Sequence, residues 1–202
     1  MANICDTTYV LGGSPAVVKD FIGTIDALIQ KNAENVADLD DLAKAYDIDA
    51  YAEKLDARGY VLYHDDMTID DNGKAKVVFH TESKWAACSD LFDRIKDNLG
   101  DVTLSYLEIE SGCEVFVKHD EDDDFADDEC FVDVYGGDND VFDGEGYSDT
   151  TTFEDAIDDW FKVMNMERPH GKSYDELIEF INDYEEYDDE DAFYQIHPLE
   201  VV

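Results

Sequence analysis

Positive charge is what this sequence has least of. Across 202 residues, 14 Lys and Arg stand against 53 Asp and Glu, a formal net charge of −39. A chain so short of bases has no patch with which to hold phosphates, which argues against direct nucleic-acid binding. Cysteine is scarce as well. Cys5, Cys88, Cys113 and Cys130 form no C-x-x-C pair and have no histidine at a zinc spacing, so reduced thiols are expected rather than a disulfide framework. No apolar run approaches the roughly 18 residues of a membrane span. The opening "MANICDTTYV" has no basic region before an apolar core, so no signal peptide is expected and a cytoplasmic location follows as the expectation. Catalytic signatures are missing too: there is no G-x-S-x-G elbow, no H-E-x-x-H and no glycine loop fit to cradle a phosphate. Gly136, Gly137, Gly144 and Gly146 lie in "GGDNDVFDGEGYSD", where acids repel a phosphate. His64, His80, His119, His170 and His197 are scattered, with no pair at a helical metal spacing. The expectation is a protein that is not an enzyme, with no catalytic residues, no cofactor and no metal-ligand set.

Apolar residues are not lacking: 44% of the chain is hydrophobic, with 12 Tyr and 11 Phe, which sets it apart from a disordered acidic tail. The strand "ICDTTYVL" ends at Gly12-Gly13, and Ser14-Pro15 supplies a cap and a first-turn proline. Val17, Val18, Phe21, Ile22, Ile25, Leu28 and Ile29 then recur at helical spacing. Residues 33–58 look like an insertion of one or two short helices. "MTIDDNGKAKVVFHT" predicts a hairpin turning at Asn72-Gly73. Trp85 is predicted to open a second amphipathic helix as a core anchor, with Leu91, Phe92 and Ile95 on the buried face and Gly100 past its end. "VTLSYLEIES" alternates and then slips phase, which predicts a bulge near Tyr106. "CEVFVKH" and "ECFVDVY" are predicted to pair through a hairpin whose loop is the acidic run 120–129. Beyond residue 136 two helices are expected, one behind Thr152 and one behind the capping box "SYDE" at 173–176. The resulting fold class is α+β: a ferredoxin-like (split βαβ) antiparallel sheet over residues 1–135, two helices on one face, and an acidic C-terminal helical pair over 136–202 packed on that core.

Three segments carry a resemblance. "MANIC" at the start, "TESKWAACSDLFDRI" at 81–95 and "EIESGCEVFV" at 108–117 are similar to the YubB-type ferredoxin-like domains of plasmids and phages. Those domains show a Met-Ala-Asn-x-Cys start, a Thr-x-x-x-Trp-x-Pro-Cys helix entry and a Glu-x-Gly-Cys turn. Here Cys5, Trp85, Cys88, Glu110, Gly112 and Cys113 match, while Ala87 stands where proline is usual. The resemblance covers about residues 1–135 and implies a fold and a mobile-element origin; it implies no chemistry, and it leaves out the acidic run and tail.

The acids are unevenly placed: residues 120–202 hold 30 acids and 3 bases, net −27. Duplex DNA carries about one charge per 1.7 Å of axis, so −27 matches roughly 46 Å, or about 13 to 14 base pairs. The leading expectation is therefore an acidic nucleic-acid mimic, a phage or plasmid inhibitor occupying the DNA- or RNA-binding surface of a basic host defence protein such as a CRISPR effector or restriction enzyme. The expected contacts are Asp120, Glu121, Asp122, Asp123, Asp124, Asp127, Asp128 and Glu129 in the run; Asp138, Asp140, Asp143 and Glu145 in the glycine-rich loop; and Asp183, Glu185, Glu186, Asp188, Asp189, Glu190 and Asp191 in the tail. Interleaved Phe125, Tyr184, Tyr187 and Phe193 are candidates for apolar contact or for core. Two alternatives remain open. One is an acidic interaction or assembly module without mimicry. The other is a calcium-stabilised domain, although "TIDDNGKAKVVF" places Thr68 and Phe79 where a calcium loop needs acids. Adaptation to high salt is disfavoured by 11 Lys to 3 Arg, although 36 Asp to 17 Glu speaks for it.

Overall fold

The computed structural model describes residues 4–136, 142, 146–187 and 191–202. The chain is α+β and divides into two compact units, residues 1–125 with 201–202, and residues 126–200.

In the first unit β1 (Ile4–Gly13) runs into α1 (Pro15–Ile29), whose cap is Ser14 with proline in the first turn, as the sequence predicts. A Cβ at Gly12 would lie 2.5 Å from Thr103 Oγ1 and one at Gly13 2.8 Å from Val102 Cγ1, so only glycine lets this strand end so close to its neighbour. The insertion holds β2 (Ala37–Asp38), α2 (Leu39–Ala45) and α3 (Ala50–Glu53). Then come β3 (Gly59–His64), β4 (Thr68–Ile69), β5 (Ala75–Lys84), α4 (Ser89–Leu99), β6 (Thr103–Glu110) and β7 (Val115–His119). The strand order is β7-β6-β1-β5-β3-β2, with β4 on β5, and the last residues of the chain (β11, Glu200–Val201) return beside β7. The pairings of β1 with β5 and β6, of β5 with β3, and of β6 with β7 are antiparallel.

One aromatic stack explains why both long helices lie on the same face. Phe79 of β5 meets Phe21 of α1 at 5.2 Å and Phe92 of α4 at 5.3 Å, with Tyr9 of β1 stacked on it at 5.0 Å. Alternation along β5 then sends Lys76, Val78, His80 and Glu82 to the helix-free face.

Trp85 does not anchor the core: it is 48% exposed at φ +76°, and α4 starts four residues later behind Cys88. No bulge occurs at Tyr106; the β1/β6 register is unbroken from Asp6↔Ile109 to Gly12↔Thr103. The phase slip arises because Tyr106 and Leu107, on opposite faces, are both buried. The irregularity sits instead in β3, between Val61 and Tyr63. The run 120–129 is not a hairpin loop, because β7 pairs with β6 while β8 (Cys130–Tyr135) belongs to a second sheet.

That second sheet has the order β10-β8-β9, with β9 (Tyr147–Thr151) and β10 (Phe193–Pro198) antiparallel to β8. The C-terminal part is thus not a purely helical extension, and its unit begins at residue 126 rather than 136. Helices α5 (Phe153–Val163) and α6 (Tyr174–Asn182) form where expected, behind the Thr152 cap and the Ser173/Glu176 capping box. Ile157, Trp160, Leu177 and Ile181 meet Val132, Val134, Tyr194 and Ile196 of the sheet in the unit's core.

Candidate acidic interaction surface

The run 120–129 begins beside β5, β6 and the end of α4 in the first unit. Asp120 folds back on its own loop: its carboxylate accepts backbone N–H bonds from Asp124 at 2.9 Å and Phe125 at 3.0 Å. The hydroxyl of buried Ser105 lies 2.8 Å from Asp124 Oδ2 and 3.3 Å from Asp120 Oδ1. Lys76 Nζ sits between two acids, 2.7 Å from Asp122 and 2.6 Å from Asp124, and Lys74 reaches Asp122 at 2.7 Å. Glu121 accepts from the Leu104 N–H at 3.1 Å and pairs with Lys96. Burial opposes ionisation of Asp120, but the N–H groups of Phe125, Asp124 and Asp122 outweigh it and hold the carboxyl below its usual range. Glu121 is also lowered, burial being overcome by Lys96, the Leu104 N–H and His119. Asp122 is lowered chiefly by its bond to Lys74, then by Lys76.

Asp120, Glu121, Asp122 and Asp124 therefore have partners within their own unit, and the Asp124 side chain is only 7% exposed. Asp123, at φ +54°, and Asp127 face solvent, while Asp128 is half-buried. Glu129 is exposed yet accepts the Phe153 N–H at 2.8 Å, against the positive end of α5. Sequence reasoning missed Lys74, Lys76 and Ser105 as partners of the run. The alternation of β5 was the available signal, since it places Lys76 opposite the apolar Ala75, Val77 and Phe79.

Residues 126–200 carry 25 acids and only three bases, Lys162, Arg168 and Lys172. Arg168 bonds Glu154 at 2.9 Å and Asp158 at 2.7 Å, and Lys172 bonds Glu176 at 2.7 Å. Arg168 and then the Tyr174 hydroxyl hold the Glu154 carboxyl below its usual range. Asp175, Glu179, Asp183, Glu185, Glu186 and Asp191 are exposed, and α6 has no basic residue in its last turn. Asp138, Asp140, Asp143, Glu145, Asp188, Asp189 and Glu190 lie outside the described residues.

A groove of about 440 Å³ between β9 and α5 is lined by Asp149, Asp155, Asp158 and Asp159 over a floor of Val132 and Tyr194. The Tyr147 hydroxyl donates to Asp159 at 3.0 Å, and burial, with that bond, pushes the phenol up to about 12. Elsewhere burial pushes the thiols of Cys5, Cys88 and Cys130 up to about 12, so they stay protonated at neutral pH. The turn that leads from β5 into α4 is tied to β1 and β6. Glu108 accepts the Ala87 N–H at 2.8 Å and the Cys5 thiol at 3.7 Å, and Ser83 donates to the Ala86 carbonyl at 2.7 Å. These bonds fix the turn that carries Trp85 outward. No family model, curated protein or solved structure matches the chain.

Proposed function

We propose that the protein is a non-enzymatic inhibitor encoded by a phage or plasmid, an acidic nucleic-acid mimic that occupies the DNA- or RNA-binding surface of a basic host defence protein, in an anti-CRISPR or anti-restriction role. The observation that supports it is the charge of the second unit: 25 acids against three bases, with Arg168 and Lys172 already consumed in pairs. Its net −22 equals the phosphate charge of about 37 Å of duplex, or about 11 base pairs. Folded acids hold such a pattern without the bending cost of DNA. The weight of the mimicry falls on Asp183, Glu185, Glu186 and the outer acids of α6 rather than on the run, half of which is neutralised from within.

The first unit supports the mobile-element part of the proposal. The strand order β6-β1-β5-β3, with α1 and α4 on one face, supports reading this unit as a split βαβ, ferredoxin-like sheet. The likeness to the YubB-type domains adds Cys5, Trp85, Cys88 and Glu110 on the same unit. The competing reading, an acidic assembly module, has one observation on its side: Asp122 and Asp124 are turned toward the chain's own lysines. A calcium-stabilised domain has less on its side. Among the described residues no group of three or more His, Cys, Asp or Glu could hold a metal ion, and Lys76 already supplies a cation between Asp122 and Asp124.

The test is inhibition of DNA binding by purified CRISPR effectors and restriction enzymes. Replacing Glu179, Asp183, Glu185 and Glu186 by their amides should weaken inhibition about tenfold or more, by slowing association. Amides at Asp40, Asp41, Asp47 and Asp49 should change it little. Equal loss in both sets would favour the assembly module.

A further inference from the structure

The C-terminal end of α6 combines three features that suit a cation. Phe180 is 42% exposed, yet its ring is held by three others: Trp160 edge-on at 5.7 Å, Phe161 parallel at 6.3 Å and Tyr184 edge-on at 6.3 Å. Trp160 is fully buried, and its indole N–H donates to the Tyr187 hydroxyl at 3.1 Å, so the support beneath Phe180 is fixed. An exposed aromatic ring that is already immobile loses little entropy on binding. Asp183 follows Phe180 by three residues and so shares its side of the helix, with Glu185 and Glu186 just beyond; all three are exposed. Like α1 and α3, and unlike α2, α4 and α5, α6 has no basic residue in its last turn, and the charged residues that follow it through Glu186 are acids alone. The negative end of its dipole is left for a cation from elsewhere.

We infer that this end of α6 takes an arginine side chain of the basic partner, its guanidinium lying on the Phe180 ring and its N–H groups paired with Asp183. The inference rests on the mimic reading and names the side chain that its acidic face receives. Charge complementarity selects a cation, and the ring selects arginine over lysine, because a planar, weakly hydrated guanidinium stacks on an aromatic face where an ammonium keeps its water. A phosphate backbone makes no such distinction through stacking, so the site would give the mimic a grip that DNA lacks.

The experiment uses the full chain with two fluorescent probes of equal charge, octa-arginine and octa-lysine, followed by anisotropy at about 50 mM salt, where exposed charges are weakly screened. Octa-arginine should bind about three- to fivefold more tightly. Phe180→Leu should abolish that preference while leaving octa-lysine binding unchanged. Phe180→Tyr, which restores a ring, and Tyr51→Leu, which removes an exposed ring from the first unit, should both keep it. Thermal melting of each variant confirms that the fold is intact; should Phe180→Leu loosen the unit, Asp183→Asn at the exposed end of α6 carries the test, since it should lower octa-arginine binding more than octa-lysine binding, and an equal loss of both overturns the inference. Equal affinity for the two peptides, a preference that survives Phe180→Leu, or no measurable binding of either overturns the inference. If the arginine preference holds but the chain displaces DNA from no effector, the mimic reading falls alone. If displacement holds without the preference, only the arginine site falls.

Discussion

Asp123 and Asp124 are the same residue type in opposite situations. Asp123 is exposed to solvent between two other acids. The Asp124 carboxylate is nearly buried against Lys76 and Ser105. From charge density alone, neutralising the run should leave the fold unchanged or slightly more stable. The structure reverses this for half of it. Asp124→Ala should cost about 2 kcal/mol by removing the nearer acceptor of Ser105 and one of the two carboxylates on Lys76, whereas Asp123→Asn should be neutral or mildly stabilising; denaturant midpoints of the two variants check this. The pH dependence has the same origin. Lys74 and Lys76 hold the Asp122 carboxyl below its usual range. Its contribution is therefore full above the unfolded carboxylate value near 4 and is lost as pH falls through the lower native value. Lys74→Met with Lys76→Met should flatten that acid loss. None of this was legible in the run itself, because Lys74 and Lys76 stand more than 40 residues away and Ser105 lies on another strand, so only the folded sheet brings them near.

At the scale of elements, what was legible was local. The cap at Ser14, the capping box at 173–176 and the apolar spacing of α1, α5 and α6 each fix structure within a few residues, and these helices form where the sequence places them. Strands β9 and β10 were not legible. "YSDTT" has no inward apolar row, and "FYQIHP" needs β8 beside it before Tyr194 and Ile196 become a buried face. Trp85 failed for a related reason: a large aromatic before a helix usually anchors it, but here Glu108 and Ser83 hold the turn and the ring is left outside. The outer edge of β10 is closed by a side chain rather than a strand. Asn182 accepts the Ile196 N–H at 2.8 Å and donates to the Ile196 carbonyl at 3.0 Å. Pro198 offers no donor at the strand's end, and on β9 the Thr150 N–H is taken by Asp149 at 2.8 Å. Both edges are blunted against pairing with another chain. Asn182→Ala should cost about 1 to 3 kcal/mol and should raise self-association, measured by sedimentation at increasing concentration. A variant that stays monomeric with an unchanged melting temperature would show that the amide does not close the edge.

For the whole molecule the governing quantity is how its charge is divided. The first unit balances much of its charge through lysines that reach across the sheet, while the second has three bases for 25 acids and leaves most of its field to solvent. That division was half legible: the sequence shows an excess toward the C-terminus, but it cannot show which acids are already paired. The central claim is that this field stands in for phosphates. The most direct measurement is displacement of a fluorescent duplex of about 14 base pairs from an inhibited effector by the full chain, repeated from about 50 to 200 mM salt. Mimicry predicts complete displacement, with an affinity that falls steeply as salt rises. A ternary complex that retains the duplex, or an affinity indifferent to salt, would contradict it.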